Sequence, residues 1–239
     1  MRILHLAKYY WPRSGGMERV VQGLAEGAAA LGHQVEVIPF GIDQTRWEVV
    51  PPTPPGGAPR AIFIGRLAAY KGIDVLLRAL ERVPDLRLDV VGAGPEGPRL
   101  RTLAQALAVH DRVRWYGEYP DEDLPRRMAD ADFLVLPSVT IEEMFGLVVL
   151  EAMAAGRPVI TTALPSAVRE VNVPEVTGLE VPLRDVGALA SALERLAHDP
   201  GLRRTLGEAG RKRVAERFTQ SAMAEKHIAL YERILAEGS

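Results

Sequence analysis

The stretch Phe133-Leu-Val-Leu-Pro-Ser-Val-Thr-Ile-Glu-Glu-Met-Phe-Gly-Leu-Val-Val-Leu-Glu-Ala-Met-Ala-Ala-Gly-Arg-Pro-Val-Ile-Thr161 decides the fold. Its first four residues are an unbroken apolar run, the pattern of a short strand buried on both faces. Phe145-Gly146 reads as a tight entrance to a helix. Leu147 to Ala155 is rich in helix formers, and Gly156 stands where a C-terminal capping glycine belongs. Pro158 to Thr161 is again short and β-branched. Strand, helix and strand in that order make a β-α-β unit, which requires a parallel sheet.

Two carboxylates sit in this unit. Glu143 lies just before the first helical turn and Glu151 lies mid-helix, separated by roughly 12 Å at the rise of an α-helix. The open amides of a helix N-terminus favour an anion. Carboxylates cannot bind phosphate, but they accept hydrogen bonds from hydroxyls. Glu143 and Glu151 could therefore bracket a polyol with a phosphate between, which is the layout of a nucleotide-diphosphate sugar. The alternative is a Glu that complements the helix dipole and a second Glu that faces water.

The same alternation continues on both sides. Strands are expected at 60–64, 86–91, 112–116, 133–136, 158–161 and 178–181. Helices are expected between them at 73–83, 97–108, 123–129, 147–155 and 166–171, and three more follow near 185–198, 201–218 and 219–237. The fold class is α/β, a doubly wound parallel sheet of Rossmann-like type over 60–239. Residues 1–38 read as a separate, truncated β-α-β unit. Between them, 39–59 holds Pro39, Pro51, Pro52, Pro54, Pro55, Pro59 and Gly56-Gly57, the composition of a stiff linker.

In such a fold the loops after strand C-termini carry function. Gly65-Arg-Leu-Ala-Ala-Tyr-Lys-Gly72 follows the first strand of the main domain. Arg66 and Lys71 could clamp a diphosphate there, Arg through a bidentate fork and Lys as a point charge. Lys71 is mildly unusual in a chain with four lysines, the others being Lys8, Lys212 and Lys226. Solvated loop charges are the alternative. Gly92-Ala-Gly-Pro-Glu-Gly97 matches the G-x-G-x-x-G of nicotinamide-binding turns, with Glu118 further on. Pro95 and Pro98 remove amide donors from that cradle, and the motif follows the second strand, so it is discounted. Asp130-Ala-Asp132 is a literal D-x-D, but it precedes its strand and reads as a helix end. Gly15-Gly16, at the entrance of the first helix, either lets a backbone approach a phosphate or makes a flexible turn.

Composition sets the outer limits. The chain has 239 residues, 47% hydrophobic and 25% charged, with a net charge of -2. There is no basic excess to suggest nucleic acid. Without cysteine it has neither disulfides nor thiolate chemistry. No histidine pair has metal-ligand spacing, and no apolar run approaches the ~20 residues of a membrane span. The expectation is a soluble cytoplasmic protein, with a role at the membrane surface left open.

These residues together resemble the retaining glycosyltransferases of family four, which have the GT-B fold. The resemblance rests on Ser14-Gly-Gly-Met-Glu-Arg19, Gly32-His-Gln-Val35, Ile38-Pro-Phe-Gly-Ile-Asp43, Gly65-Arg-Leu67 with Lys71-Gly72, and Gly92-Ala-Gly-Pro95. It continues through Leu136-Pro-Ser138, the E-x7-E of Glu143 and Glu151, Ala152-Met-Ala-Ala-Gly-Arg-Pro-Val159 and Thr177-Gly-Leu179. It implies a metal-independent transfer of a sugar, with retention, from a UDP-, GDP- or ADP-linked donor to a sugar or lipid acceptor. No cofactor is expected beyond that co-substrate. Arg66 and Lys71 would neutralise the donor diphosphate, Glu143 would hold the sugar, and Glu151 would bind the ribose hydroxyls. Gly65, Phe145, Gly146 and Leu147 would line the donor, the last three offering backbone amides, and Gly16 would face the phosphates across the cleft.

The chain departs from that pattern at its start. The family has two Rossmann-like domains of similar size, and on the order of a hundred residues of the first have no counterpart here. That part binds the acceptor in the family and carries a histidine that no position here matches. Residues 1–38 are too short for a core of their own, and are expected to dock on the main domain or on a second copy of the chain. A non-catalytic nucleotide-sugar-binding module therefore stands as the alternative function.

Overall fold

Residues 27, 30–32, 38–48 and 57–236 are described by a computed structural model. The expected β-α-β unit over 1–38, Gly16 with it, lies outside those residues apart from a few positions near its end. Two compact units divide the chain, Ile42–Thr219 and the combination of Met1–Gly41 with Gln220–Ser239.

Ile42–Thr219 holds a six-stranded, all-parallel sheet in the order β3-β2-β1-β4-β5-β6. The elements are α1 (Thr45–Glu48), β1 (Arg60–Ile64), α2 (Ile73–Glu81), β2 (Arg87–Val91), α3 (Gly97–Ala106), β3 (Val113–Gly117) and α4 (Leu124–Ala129). They continue with β4 (Phe133–Leu136), α5 (Leu147–Ala154), β5 (Val159–Thr162), α6 (Val168–Val171), β6 (Gly178–Val181), α7 (Val186–His198) and α8 (Pro200–Arg217). This is the doubly wound fold, and its strand order reverses between β1 and β4. The chain leaves β1 toward one edge and β4 toward the other, so a crevice opens at their C-terminal ends.

Burial explains why the strands read as apolar runs. Ala61, Ile62 and Phe63 of β1 and all four residues of β4 are buried, as a sheet covered on both faces demands. Helix α2 buries Ile73, Leu76, Leu77 and Leu80, one stripe at helical spacing. Helix α5 is apolar nearly all round because it lies between the sheet and α8. Gly210 of α8 packs on the Met153 side chain, and a Cβ on Gly207 would fall 2.2 Å from the carbonyl oxygen of Gly156, just past the end of α5, so small residues let α8 approach α5 closely.

Helix ends fall a residue or two from their expected positions, for local reasons. Helix α2 stops at Glu81, before Val83-Pro84, because a proline disfavours helical backbone in the residue ahead of it. Helix α3 stops at Ala106, and Ala108 takes a left-handed φ of 52°. Within the stretch read as a linker, Ile42 and Trp47 are buried in the core, and Trp47 sits on α1. Asp132 of the D-x-D accepts from the backbone N–H of Arg60 at 2.8 Å and pairs with Arg203 at 3.4 Å. It ties the start of β1 to α8, a structural job.

The other unit contributes α9 (Gln220–Ala236). The N–H of Gly41 donates to the Met223 sulfur at 3.4 Å. Among the described residues no helix is long and apolar enough to cross a membrane.

Candidate functional site

The loops after β1 and β4 meet at the strand-order reversal, and they are stapled together. Gly72 closes the first loop with φ 65°, and a Cβ on it would fall 2.1 Å from the carbonyl oxygen of Pro137. Only glycine permits that approach. The N–H of Val139 donates to Tyr70 O at 2.8 Å. Between these backbone contacts, Lys71 Nζ meets Glu143 Oε2 at 2.5 Å, and Ser138 Oγ donates to the same oxygen at 2.8 Å. Lys71 is 8% exposed and Glu143 7%. Two charges held this far from water require each other, because a buried charge that loses its partner is strongly unfavourable.

The loop after β1 is also laced to the loop after β2. Gly65 N–H donates to Val91 O at 2.9 Å, Leu67 N–H to Ala93 O at 2.9 Å, and Glu96 N–H to Leu67 O at 3.0 Å. A Cβ on Gly92 would fall 2.0 Å from Gly65 O, and one on Gly94 would fall 2.4 Å from Leu67 O. Gly92 and Gly94 of the G-x-G-x-x-G run therefore serve backbone packing, and they hold the loop that carries Arg66. Arg66 is exposed on that loop, and Lys71 is turned inward. The two cations expected to act as a pair thus occupy different settings.

Gly146, with φ 66°, turns the chain into α5, as Phe145-Gly146 foretold. Phe145 packs edge-on to Phe218, their centroids 6.4 Å apart, and Leu147 is exposed at the first turn. Because α5 follows β4, its N-terminus opens at the same C-terminal edge of the sheet.

Glu151 belongs to a second cluster. Helix α1 packs against α5, and Arg46 donates both to the backbone carbonyl and, at 2.6 Å, to the carboxylate of Asp121, in the loop after β3. Burial pushes the Glu151 carboxyl up to about 7, helped by the negative charge of Asp121 and opposed by Arg46. The folded value lies above the ordinary 4.5, so this group contributes stability that is complete below about pH 4.5 and is lost as pH rises through about 7. Glu151→Gln should remove that slope. In melting curves between pH 5 and 8, the variant should gain on the parent as pH rises. Parallel curves would show that Glu151 is ionised throughout.

The family model for glycosyl transferases group 1 matches residues 47–213. The chain belongs to the group 1 glycosyltransferases. It is 35% identical to the D-inositol 3-phosphate glycosyltransferase of Corynebacterium jeikeium, an alignment covering 92% of this chain and 57% of that protein. It is also 35% identical to the phosphatidyl-myo-inositol mannosyltransferase of Mycobacterium leprae, over 88% of this chain and 56% of the other. The sucrose-phosphate synthase structure from Thermosynechococcus elongatus superposes with a TM-score of 0.79 at 32% identity, covering 91% of this chain and 57% of that one. The chain thus spans about half the length of the curated relatives it matches. A structure of HepE from Anabaena in complex with UDP and glucose shares the fold, with a TM-score of 0.75 at 21% identity.

In this group 1 chain the structure brings Gly65, Lys71, Glu143 and Gly146 to the crevice between β1 and β4, with Arg66 on its rim. Glu151 lies in its own cluster, and Gly16 lies outside the described residues. Sequence reasoning quoted Ser138 within Leu136-Pro-Ser138 but gave it no contact with Glu143, and it missed Arg46 and Asp121. Arg46 had no signal, because the linker composition around it pointed elsewhere.

Proposed function

We propose that this chain carries the donor site of a retaining, metal-independent glycosyltransferase that takes its sugar from a nucleotide diphosphate. The observation that carries this reading is the meeting of Lys71 and Glu143 at the strand-order reversal, the place where open α/β sheets bind ligands. The names of the relatives and the UDP and glucose held by the Anabaena neighbour support it.

Each residue then has a physical task. Glu143 accepts from sugar hydroxyls. Lys71 keeps one N–H on Glu143 and has two others to offer the diphosphate. Arg66 meets the diphosphate from the rim. As the bond from the anomeric carbon to the diphosphate oxygen breaks, negative charge grows on the leaving group. Fixed cations stabilise it there, the work a metal would otherwise do. A leaving phosphate oxygen then takes the proton of the attacking acceptor hydroxyl, on the same face of the sugar, which gives retention. Glu151, at the second cluster, accepts from the ribose hydroxyls. The backbone around Phe145, Gly146 and Leu147 lines the phosphates.

The test is thermal shift with UDP, GDP, ADP and NAD, followed by an assay of sugar release from the matching donor. One nucleoside diphosphate should raise the melting temperature. Stabilisation by NAD alone would overturn the reading, and nucleotide binding without sugar release would favour the non-catalytic module. Arg66→Ala should weaken the diphosphate by about 1–3 kcal/mol, the worth of a charge-assisted contact. Because Arg66 is exposed, the melting temperature of the unliganded chain should hold. Unchanged nucleotide affinity in a calorimetric titration would remove Arg66 from the site.

A further inference from the structure

Glu143 has two oxygens, and the structure treats them differently. Both donors that reach its carboxylate, Lys71 Nζ at 2.5 Å and Ser138 Oγ at 2.8 Å, fall on Oε2. Among the described residues none donates to Oε1. Ser138 is itself held from behind. It is 0% exposed, and its backbone carbonyl accepts from Thr162 Oγ1, at the end of β5. Thr162 is 3% exposed. A hydrogen-bonded line thus runs from β5, through Ser138 in the loop after β4, to one oxygen of Glu143. Every residue in it, Lys71 included, is more than nine-tenths buried.

A carboxylate held by one cation alone can rotate about its last two bonds and still keep that contact. A second donor on the same oxygen, from a different element, removes this freedom. It leaves the other oxygen pointing one way. An orientation fixed before binding costs the ligand nothing to impose.

We propose that Ser138 is a positioning residue, backed by Thr162, that clamps Oε2 of Glu143 and presents Oε1 to the sugar of the donor. Ser138 touches no substrate; it acts through Glu143. The inference rests on the donor-site reading above and adds which residue sets the sugar contact apart from the nucleotide contact. Neither Arg66 nor Glu151 bonds Ser138, and Lys71 keeps its own contact with Oε2 of Glu143 when the Ser138 hydroxyl is removed, so the nucleotide half of the ligand should not register its loss.

That separation supplies the test. Dissociation constants are measured by calorimetry for UDP and UDP-glucose, GDP and GDP-mannose, and ADP and ADP-glucose, and the pair that binds the parent chain is used for the variants. Ser138→Ala should weaken the nucleotide sugar roughly ten-fold or more, the scale of a lost hydrogen bond to a charged group, with the nucleotide alone unchanged. Thr162→Val, which keeps the shape and removes the hydroxyl, should shift the same ratio in the same direction. Thr162→Ser, which keeps the hydroxyl, should restore it. Equal weakening of nucleotide and nucleotide sugar would show a purely structural role and overturn the proposal, as would an unchanged ratio in both variants. If Ser138→Ala does not fold, the contrast between Thr162→Val and Thr162→Ser decides alone. A parent chain that binds none of the six compounds overturns the donor-site reading and this proposal with it. Parent binding with unaltered variant ratios overturns this proposal only.

Discussion

Lys71→Ala will destabilise the fold by about 3–5 kcal/mol, the cost of leaving a buried carboxylate without its partner. Lys71 and Glu143 meet at 2.5 Å with side chains only 10% and 9% accessible. Removing the ammonium leaves Ser138 as the one remaining donor to that carboxylate among the described residues. For a chain of this size the loss corresponds to roughly 6–20 °C of melting temperature. The double variant Lys71→Met/Glu143→Gln should recover most of it, since it removes both charges and keeps an acceptor for Ser138. The pair is a poor investment for stability, because a buried ion pair is often no better than well-packed apolar residues. A site that must keep a cation and a carboxylate away from bulk water has reason to hold one. Urea melts of the three chains decide it. A loss within about 0.5 kcal/mol for Lys71→Ala, the usual effect of an unremarkable surface change, would show that Glu143 is not buried against Lys71 in solution.

Gly92→Ala is the second large effect. Gly92 has φ 129°, and its new Cβ would lie 2.0 Å from the carbonyl oxygen of Gly65. A backbone oxygen cannot step aside as a side-chain tip can, so the two loops must part. The strained backbone costs about 1–3 kcal/mol and the overpacking about as much again. Gly117→Ala is the control. Gly117 also has a positive φ, 69°, but a Cβ there would meet nothing within 4 Å, so only the left-handed strain of about 1–2 kcal/mol applies. In denaturant melts Gly92→Ala should fall well below Gly117→Ala. If the two coincide, the loops after β1 and β2 are not in backbone contact. Gly92→Ala should also weaken any ligand that Arg66 holds, because Gly65-Arg66-Leu67 would shift with the loop.

These two positions also show where reading the sequence succeeded and where it stopped. Gly92, Gly94 and Gly97 stand at the spacing of a dinucleotide turn, and the two prolines were reason enough to doubt it. The use of Gly92 and Gly94 stayed hidden, since the backbone they admit, at Gly65 and Leu67, lies 27 residues earlier in the chain. Lys71 and Glu143 were both legible as candidates. Their contact was not, because 72 positions separate them and spacing carries no information across such a gap.

The alternation of apolar runs with helical stretches was enough, by itself, to settle six parallel strands, their helices and the α/β class, because burial on both faces writes itself into each strand. It also placed Glu143 ahead of α5 and Glu151 within it, since helix periodicity and capping glycines act over a few residues. The tertiary structure alone decided that Lys71 turns inward onto Glu143 while Arg66 stays on the rim. It alone put Ser138 and Thr162 behind that carboxylate and brought Arg46 and Asp121 to Glu151. Such choices depend on which loops the sheet order carries to one edge, and on which charges must pair once water is excluded there.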